Sequence, residues 1–226
     1  MSRPTALLVM GGDPIHDTPE HYELLAGLLA GPAGLNLHIT DGLESLTGLT
    51  RSDYDLIAMY RADRRPAAAP FAALWEAVRA GTPYLGLHGA AFTVQQVPGG
   101  AEAIGARYEE PHLRQQPLSV RIADNGHPIT AGVEGFTIED EPYRLTPLVP
   151  SAVRVLASYS DCALNRRTRH GVIAARGDWP VLYTRRLGAG RIHTNVLGHD
   201  RQALTHPAYR RLVVQAVAWL LATAGG

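Results

Sequence analysis

Up to Leu87, short unbroken apolar runs alternate with segments of helical spacing. Thr5 to Met10, Leu56 to Tyr60 and Pro83 to Leu87 are apolar at nearly every position, the pattern of strands covered on both faces in a parallel sheet. Leu35 to Thr40 reads as a further short strand. Pro19 to Ala30 sets Tyr22, Leu25 and Leu29 on one helical face and stops near Gly31-Pro32. Pro70 to Ala80 turns Phe71, Leu74 and Val78 inward, with Gly81 as its C-cap. Strand and helix in alternation predict a parallel sheet with right-handed crossovers.

After Leu87 the texture changes. Leu118 to Ile122, Gly135 to Glu141, Val153 to Tyr159, Gly171 to Ala175, Val181 to Thr184 and Arg191 to Val196 read as strands. Turn-forming residues rather than helices separate most of them, so antiparallel additions are expected. Ile138 to Tyr143 reads as strand with Glu139, Glu141 and Tyr143 on one face, Pro142 marking an edge or strand end. The last helix runs from Pro207, a good first helical residue, to about Ala222; Leu212, Val213, Ala216, Val217 and Leu220 form its apolar face. No repeat or linker interrupts the chain. One domain over residues 1–226 is expected: a flavodoxin-like α/β fold, its central sheet mostly parallel, with helices on both faces and antiparallel strands added in the second half.

Composition narrows the function classes. The 226 residues carry a formal net charge of +0, which gives neither nucleic acid nor an anionic membrane an electrostatic handle. All 21 basic residues are Arg, so Schiff-base chemistry through a lysine is excluded; beside so many Ala, Gly and Pro, the bias reads as a codon effect. Cys162 is the single cysteine, which rules out an intrachain disulfide and suits a reducing compartment. The sequence shows no signal-peptide core and no apolar run of the ~18 residues that would suggest a membrane span. A cytoplasmic protein is the expectation.

Three segments fall at the carboxyl ends of predicted strands, where open parallel sheets bind ligands. They are Gly11-Gly12-Asp13-Pro14-Ile15-His16-Asp17, Gly86-Leu87-His88-Gly89-Ala90 and Leu197-Gly198-His199-Asp200. Each joins glycine, which allows sharp turns and close ligand approach, to one imidazole at the rim. The strand ending in Gly-x-His-Gly-Ala, followed by a helix-compatible stretch, resembles the strained turn that presents a nucleophile above a sheet. Amidotransferase-type domains have Gly-x-Cys-x-Gly there, and His88 stands in the cysteine's place. Thiol attack is therefore absent, Cys162 lies in a polar stretch unsuited to replace it, and no glutaminase activity is expected. An imidazole exposed by such a turn serves as general base or as metal ligand; the alternative is a buried histidine satisfying backbone groups.

These segments, together with His112, His127-Pro128-Ile129-Thr130, Asp140-Glu141-Pro142-Tyr143 and Gly188-Ala189-Gly190-Arg191, resemble the ThuA-like (trehalose-utilisation) family over nearly the whole chain. The resemblance implies a class I glutamine-amidotransferase-like fold and a part in disaccharide catabolism, acting on 3-keto sugars made by a partner dehydrogenase. The family often has Gly-Lys-Gly-Arg where this chain has Ala189, so a lysine there is not needed for the chemistry. A sugar hydrolase or isomerase is expected, with a small-molecule sugar as partner and a homodimer as assembly.

His88, His199 and Glu141 are the candidate catalytic residues, either by acid–base chemistry or by holding a divalent metal such as zinc, which takes imidazole and carboxylate with a position open to water. Gly12, His16, His112, Asp140, Tyr143, Trp179 and Asp200 are the candidate substrate-binding residues. Structural alternatives stand beside them. His16 and Asp17 suit the start of the helix at Pro19, Asp200 suits a helix cap, and His112 suits a solvated loop. Trp179 is either a sugar-stacking platform or a hairpin filler. His127 and His206, each preceding proline, read as turn and helix-start residues, and His21, His38, His170 and His193 have no site role. The competing functional class is a non-catalytic sugar-binding or regulatory module.

Overall fold

The computed structural model describes residues 2–111, 113–168, 171–172 and 177–222. The chain opens with β1 (Thr5–Val9), α1 (Pro19–Ala30), β2 (Asn36–Thr40), β3 (Leu56–Tyr60), α2 (Ala69–Arg79) and β4 (Tyr84–Leu87). It continues through α3 (Ala90–Val94), α4 (Gly100–Ile104), β5 (Ala106–Tyr108), β6 (Gln116–Ile122), β7 (Phe136–Asp140) and β8 (Leu145–Pro147). Then come β9 (Arg154–Ser160), β10 (Arg167–Thr168), β11 (Gly171–Val172), β12 (Asp178–Leu187), β13 (Gly190–Asn195), α5 (Arg201–Thr205) and α6 (Pro207–Leu221).

Nine strands form one sheet in the order β2-β1-β3-β4-β13-β12-β9-β6-β7. Neighbours from β2 to β13 are parallel, the 2-1-3-4-5 order of a flavodoxin-like α/β fold. From β13 to β7 every pairing is antiparallel. The two regions differ in burial as their pairing requires. Every residue of β3 and β4 is buried, whereas β6 buries Leu118 and Val120 and exposes Pro117, Ser119 and Arg121 between them, as a sheet with one solvated face does.

Local chemistry explains the helix limits. Thr18 caps α1 by accepting the His21 N–H, with Pro19 in the first turn. The helix buries Leu25, Leu28 and Leu29, while Tyr22 is only half-buried. In α2, Phe71, Leu74 and Val78 face inward beside Trp75; Ala80 is the C-cap residue, and Gly81 follows it at φ 121°. Leu212, Val213, Ala216, Val217 and Leu220 are all buried along α6. Among the described residues, no helix is long and apolar enough to cross a membrane.

Two predicted strands end elsewhere. β12 runs well beyond Val181 to Thr184 in both directions, because the register shift after Pro180 accommodates a residue that has no ladder donor. β7 stops at Asp140 instead of reaching Tyr143. There the Asp140 carboxylate takes the Glu141 N–H at 2.8 Å, and Pro142 has no N–H to continue the ladder. Glu139, Glu141 and Tyr143 therefore do not share a strand face. The predicted strand Gly171 to Ala175 is described only as β11, since residues 173–175 lie outside the described residues.

Candidate metal centre

Three turns at the carboxyl edge of the parallel strands carry the imidazoles. After β1, Gly12 adopts φ 98° and bridges to Ala62, where a Cβ would overlap the Ala62 carbonyl. Asp13 N–H then donates to Ala62 O at 2.6 Å, and His16 N–H to Asp13 O at 2.9 Å, which folds His16 back over the strand ends. After β4, His88 has φ 42°; among the described residues no other non-glycine residue has positive φ. Its N–H donates to Asn195 O at 2.8 Å. After β13, Gly198 turns at φ 107° and delivers His199.

The imidazoles meet. His16 Nε2 lies 3.1 Å from His88 Nε2 and 3.1 Å from His199 Nδ1, and the last two are 3.3 Å apart. Glu141 Oε2 stands 3.8 Å from His88 Nε2 and 3.5 Å from His199 Nδ1. All four ligand atoms lie within 4.8 Å of one another. A tetrahedral ion with bonds of about 2.0–2.1 Å sets its ligand atoms roughly 3.3 Å apart, close to the measured separations.

Proton counting favours a cation over a hydrogen-bonded cluster. His88 Nδ1 faces Val196 O at 3.1 Å; a carbonyl only accepts, so that nitrogen carries the proton and Nε2 presents a lone pair. His16 is held down at about 4, first by burial and then by His199 beside it, and is neutral at pH 7. With Nε2 of His88 bare, N–H···N bonds join at most two of the three nitrogen pairs. One divalent ion satisfies all four ligand atoms together. His16 Nδ1 is buried without a hydrogen-bond partner among the described residues, a cost of placing this ring.

Behind the ligands, Asp140 is fully buried. Its Oδ2 accepts Gly198 N–H at 2.7 Å, and its Oδ1 accepts His199 N–H at 3.1 Å and Glu141 N–H at 2.8 Å. Burial pushes its pKa up to about 7, against the pull of those three amides. Tyr60 Oη donates to Gly198 O at 2.9 Å, and its ring stacks between His21 and His88 at 5.6 and 6.0 Å. His21 Nε2 in turn donates to His199 O at 3.2 Å.

A cavity of about 380 Å³ opens beside the cluster. Gly12, Asp13, His16, Glu141, Tyr143 and His199 border it, as do Asp63, Arg64, Phe92 and Tyr108. His88 corrects an expectation: the residue is 1% exposed, its ring covered by His16 and by Tyr143, whose ring centroid is 4.6 Å away. Asp140 holds backbone and does not line the cavity. Asp200 caps α5 through Ala203 N–H and accepts from Gln115 Nε2. Trp179 also lies outside the lining; its Nε1 donates to Asp161 Oδ2 at 2.8 Å, and the Arg144 guanidinium sits over its ring. His112 lies outside the described residues.

Sequence reasoning passed over Tyr60, His21, Asp63, Arg64, Phe92 and Tyr108. Signals existed for the first two: Tyr60 ends β3 at the ligand-binding edge, and His21 lies on the buried side of α1, in the first turn of the helix that follows the His16 loop.

A family model described as ThuA, trehalose utilisation, matches residues 6–220. No curated protein matches the sequence. Among solved structures, a protein described as ThuA-like from Parabacteroides merdae superposes with TM-score 0.76 at 17% identity, covering 97% of this chain and 90% of that one. A second, from Bacteroides uniformis, gives 0.73 at 20% identity, covering 97% and 93%. A cytoplasmic protein from Salmonella typhimurium gives 0.64 at 12% identity, covering 95% and 99%. At these identities the likeness shows a common fold.

Proposed function

The chain belongs to the ThuA family of trehalose utilisation, and on that premise we propose that it is a cytoplasmic enzyme acting on a sugar or 3-keto sugar with a divalent metal held by His16, His88, His199 and Glu141. The approach of three imidazole nitrogens and one carboxylate oxygen to a single point beside a cavity carries this reading. When bound, the metal supplies Lewis-acid polarisation of a sugar carbonyl or hydroxyl oxygen. A divalent ion held by three imidazole nitrogens and one carboxylate would keep net positive charge and would attract that oxygen. His16, His88, His199 and Glu141 would hold the ion, and the cavity beside them would admit the sugar oxygen. His88 serves from beneath with its tautomer fixed by Val196 O, while His16, His199 and Glu141 reach the cavity side. Hydrolysis and isomerisation both suit such a centre.

The test is to strip the protein with a chelator, reload it with zinc, manganese or cobalt, and assay trehalose and 3-keto-trehalose. About one metal per chain, with turnover only in the loaded form, is expected. Turnover unchanged by chelation would remove the metal from the mechanism. Sugar binding without turnover in every metal form would favour the binding-module reading.

A further inference from the structure

The wall opposite in character to the metal ligands is aromatic, and one of its members is incompletely satisfied. Tyr108, the last residue of β5, is 3% exposed. Its ring packs edge-on against Phe92 at 5.5 Å and Tyr143 at 4.6 Å, and Tyr143 leans on His88. Phe92, Tyr108 and Tyr143 all border the cavity beside His16, His199 and Glu141. Yet the Tyr108 hydroxyl is buried with no hydrogen-bond partner among the described residues. Phenylalanine would occupy the same space without that cost, since a buried unpaired hydroxyl is destabilising. Burial, followed by the charges of Glu141 and Glu110, pushes the phenol pKa upward, so the group remains a proton donor at neutral pH.

The other lining groups say what it donates to. Asp13, Asp63 and Glu141 bring three carboxylates to the cavity. Arg64, the lone arginine among the lining residues, lies 3.8 Å from Glu110 and over the Phe92 ring. Hydroxyl groups of a sugar donate to such carboxylates.

We propose that the Tyr108 hydroxyl contacts substrate directly, donating a hydrogen bond to an acceptor oxygen of a neutral sugar seated against the metal centre. The proposal rests on the sugar reading above and deepens it. Its test is Tyr108→Phe, compared with the parent by calorimetry of the cobalt-loaded proteins with trehalose and glucose, and by melting of the metal-free proteins. Loss of one hydrogen bond should weaken binding of trehalose and glucose about 2- to 10-fold. Cobalt uptake should be unchanged, and the metal-free variant should melt at or above the parent temperature. Equal sugar affinities in parent and variant, or a lower melting temperature in the variant, would each overturn the proposal. A parent that binds neither neutral sugar overturns it too. Failure of cobalt uptake alone removes the metal centre and leaves the sugar comparison between parent and variant to decide the role of Tyr108.

Discussion

In the parallel region of the sheet, three strands that end at the cavity join glycine to an imidazole: Gly12 and His16 after β1, Gly86 within β4 and His88 after it, Gly198 and His199 after β13. The antiparallel region contributes differently. Its ligand, Glu141, follows β7, the outermost strand on that side, which packs on α5, and its second carboxylate, Asp140, binds backbone rather than cavity. One region thus supplies neutral donors by a repeated local device. The other supplies negative charge and the brace that holds the loops, and does so through long-range folding.

If that division holds, ligands from the two regions will respond unequally. Zinc-site binding energies of about 10–16 kcal/mol shared over four ligands give each roughly 3 kcal/mol, or about 100-fold in affinity. His88→Ala should reach or exceed that loss in a cobalt titration. It should also lower the melting temperature, because the ring is buried and hydrogen-bonded. Glu141→Gln keeps three nitrogens and a neutral oxygen and should lose less. Equal losses would erase the distinction.

Acid titration separates the centre from the core. His16 is held at about 4 and His193 at about 3, each chiefly by burial. The folded protein therefore takes up fewer protons than the unfolded chain below the ordinary histidine value of 6.5. Stability present above pH 6.5 is lost as pH falls toward 4, by up to about 3 kcal/mol for His16. Saturating metal should move the His16 part of this loss to lower pH and leave the His193 part in place, which pH-dependent denaturant melts would resolve.

The brace is tested by Asp140→Asn, which removes the charge while keeping one acceptor oxygen. A loss of about 2 kcal/mol in stability and of about 10- to 100-fold in metal affinity is expected, from denaturation and cobalt binding. Asp200→Ala should cost only about 1 kcal/mol, as a lost cap does, with cobalt affinity unchanged. A large drop in metal affinity there would extend the centre to α5.

What could be read from the sequence follows the same division. Strands β1, β3 and β4 announce themselves by continuous burial, and α1, α2 and α6 by periodicity, so the flavodoxin-like order was legible. β5, β8, α4 and α5 are three to five residues long, too short for either period to show. The imidazoles were visible because glycine and histidine adjoin strand ends. The burial of His88 was not, since His16 and Tyr143, which cover it, come from distant parts of the chain. Asp140 reads as a ligand-facing acid because Pro142 marks a strand end beside it; its carboxylate turns instead to the amides of Glu141, Gly198 and His199, two of which come from a distant loop. Tyr108 carried no local signal at all, since a cavity wall exists only once β5 has paired with β8.

The Asp140 carboxylate joins the consecutive amides of Gly198 and His199, 58 and 59 residues away along the chain, to the amide of its immediate neighbour Glu141. Local opening is cooperative where such bonds share a single partner. The amides of Glu141, Gly198 and His199 should therefore exchange with deuterium as one correlated set, although no stretch of chain unites them. Release of an ion held there and fraying of both loops would then be a single kinetic event, its rate set by how often one carboxylate lets go.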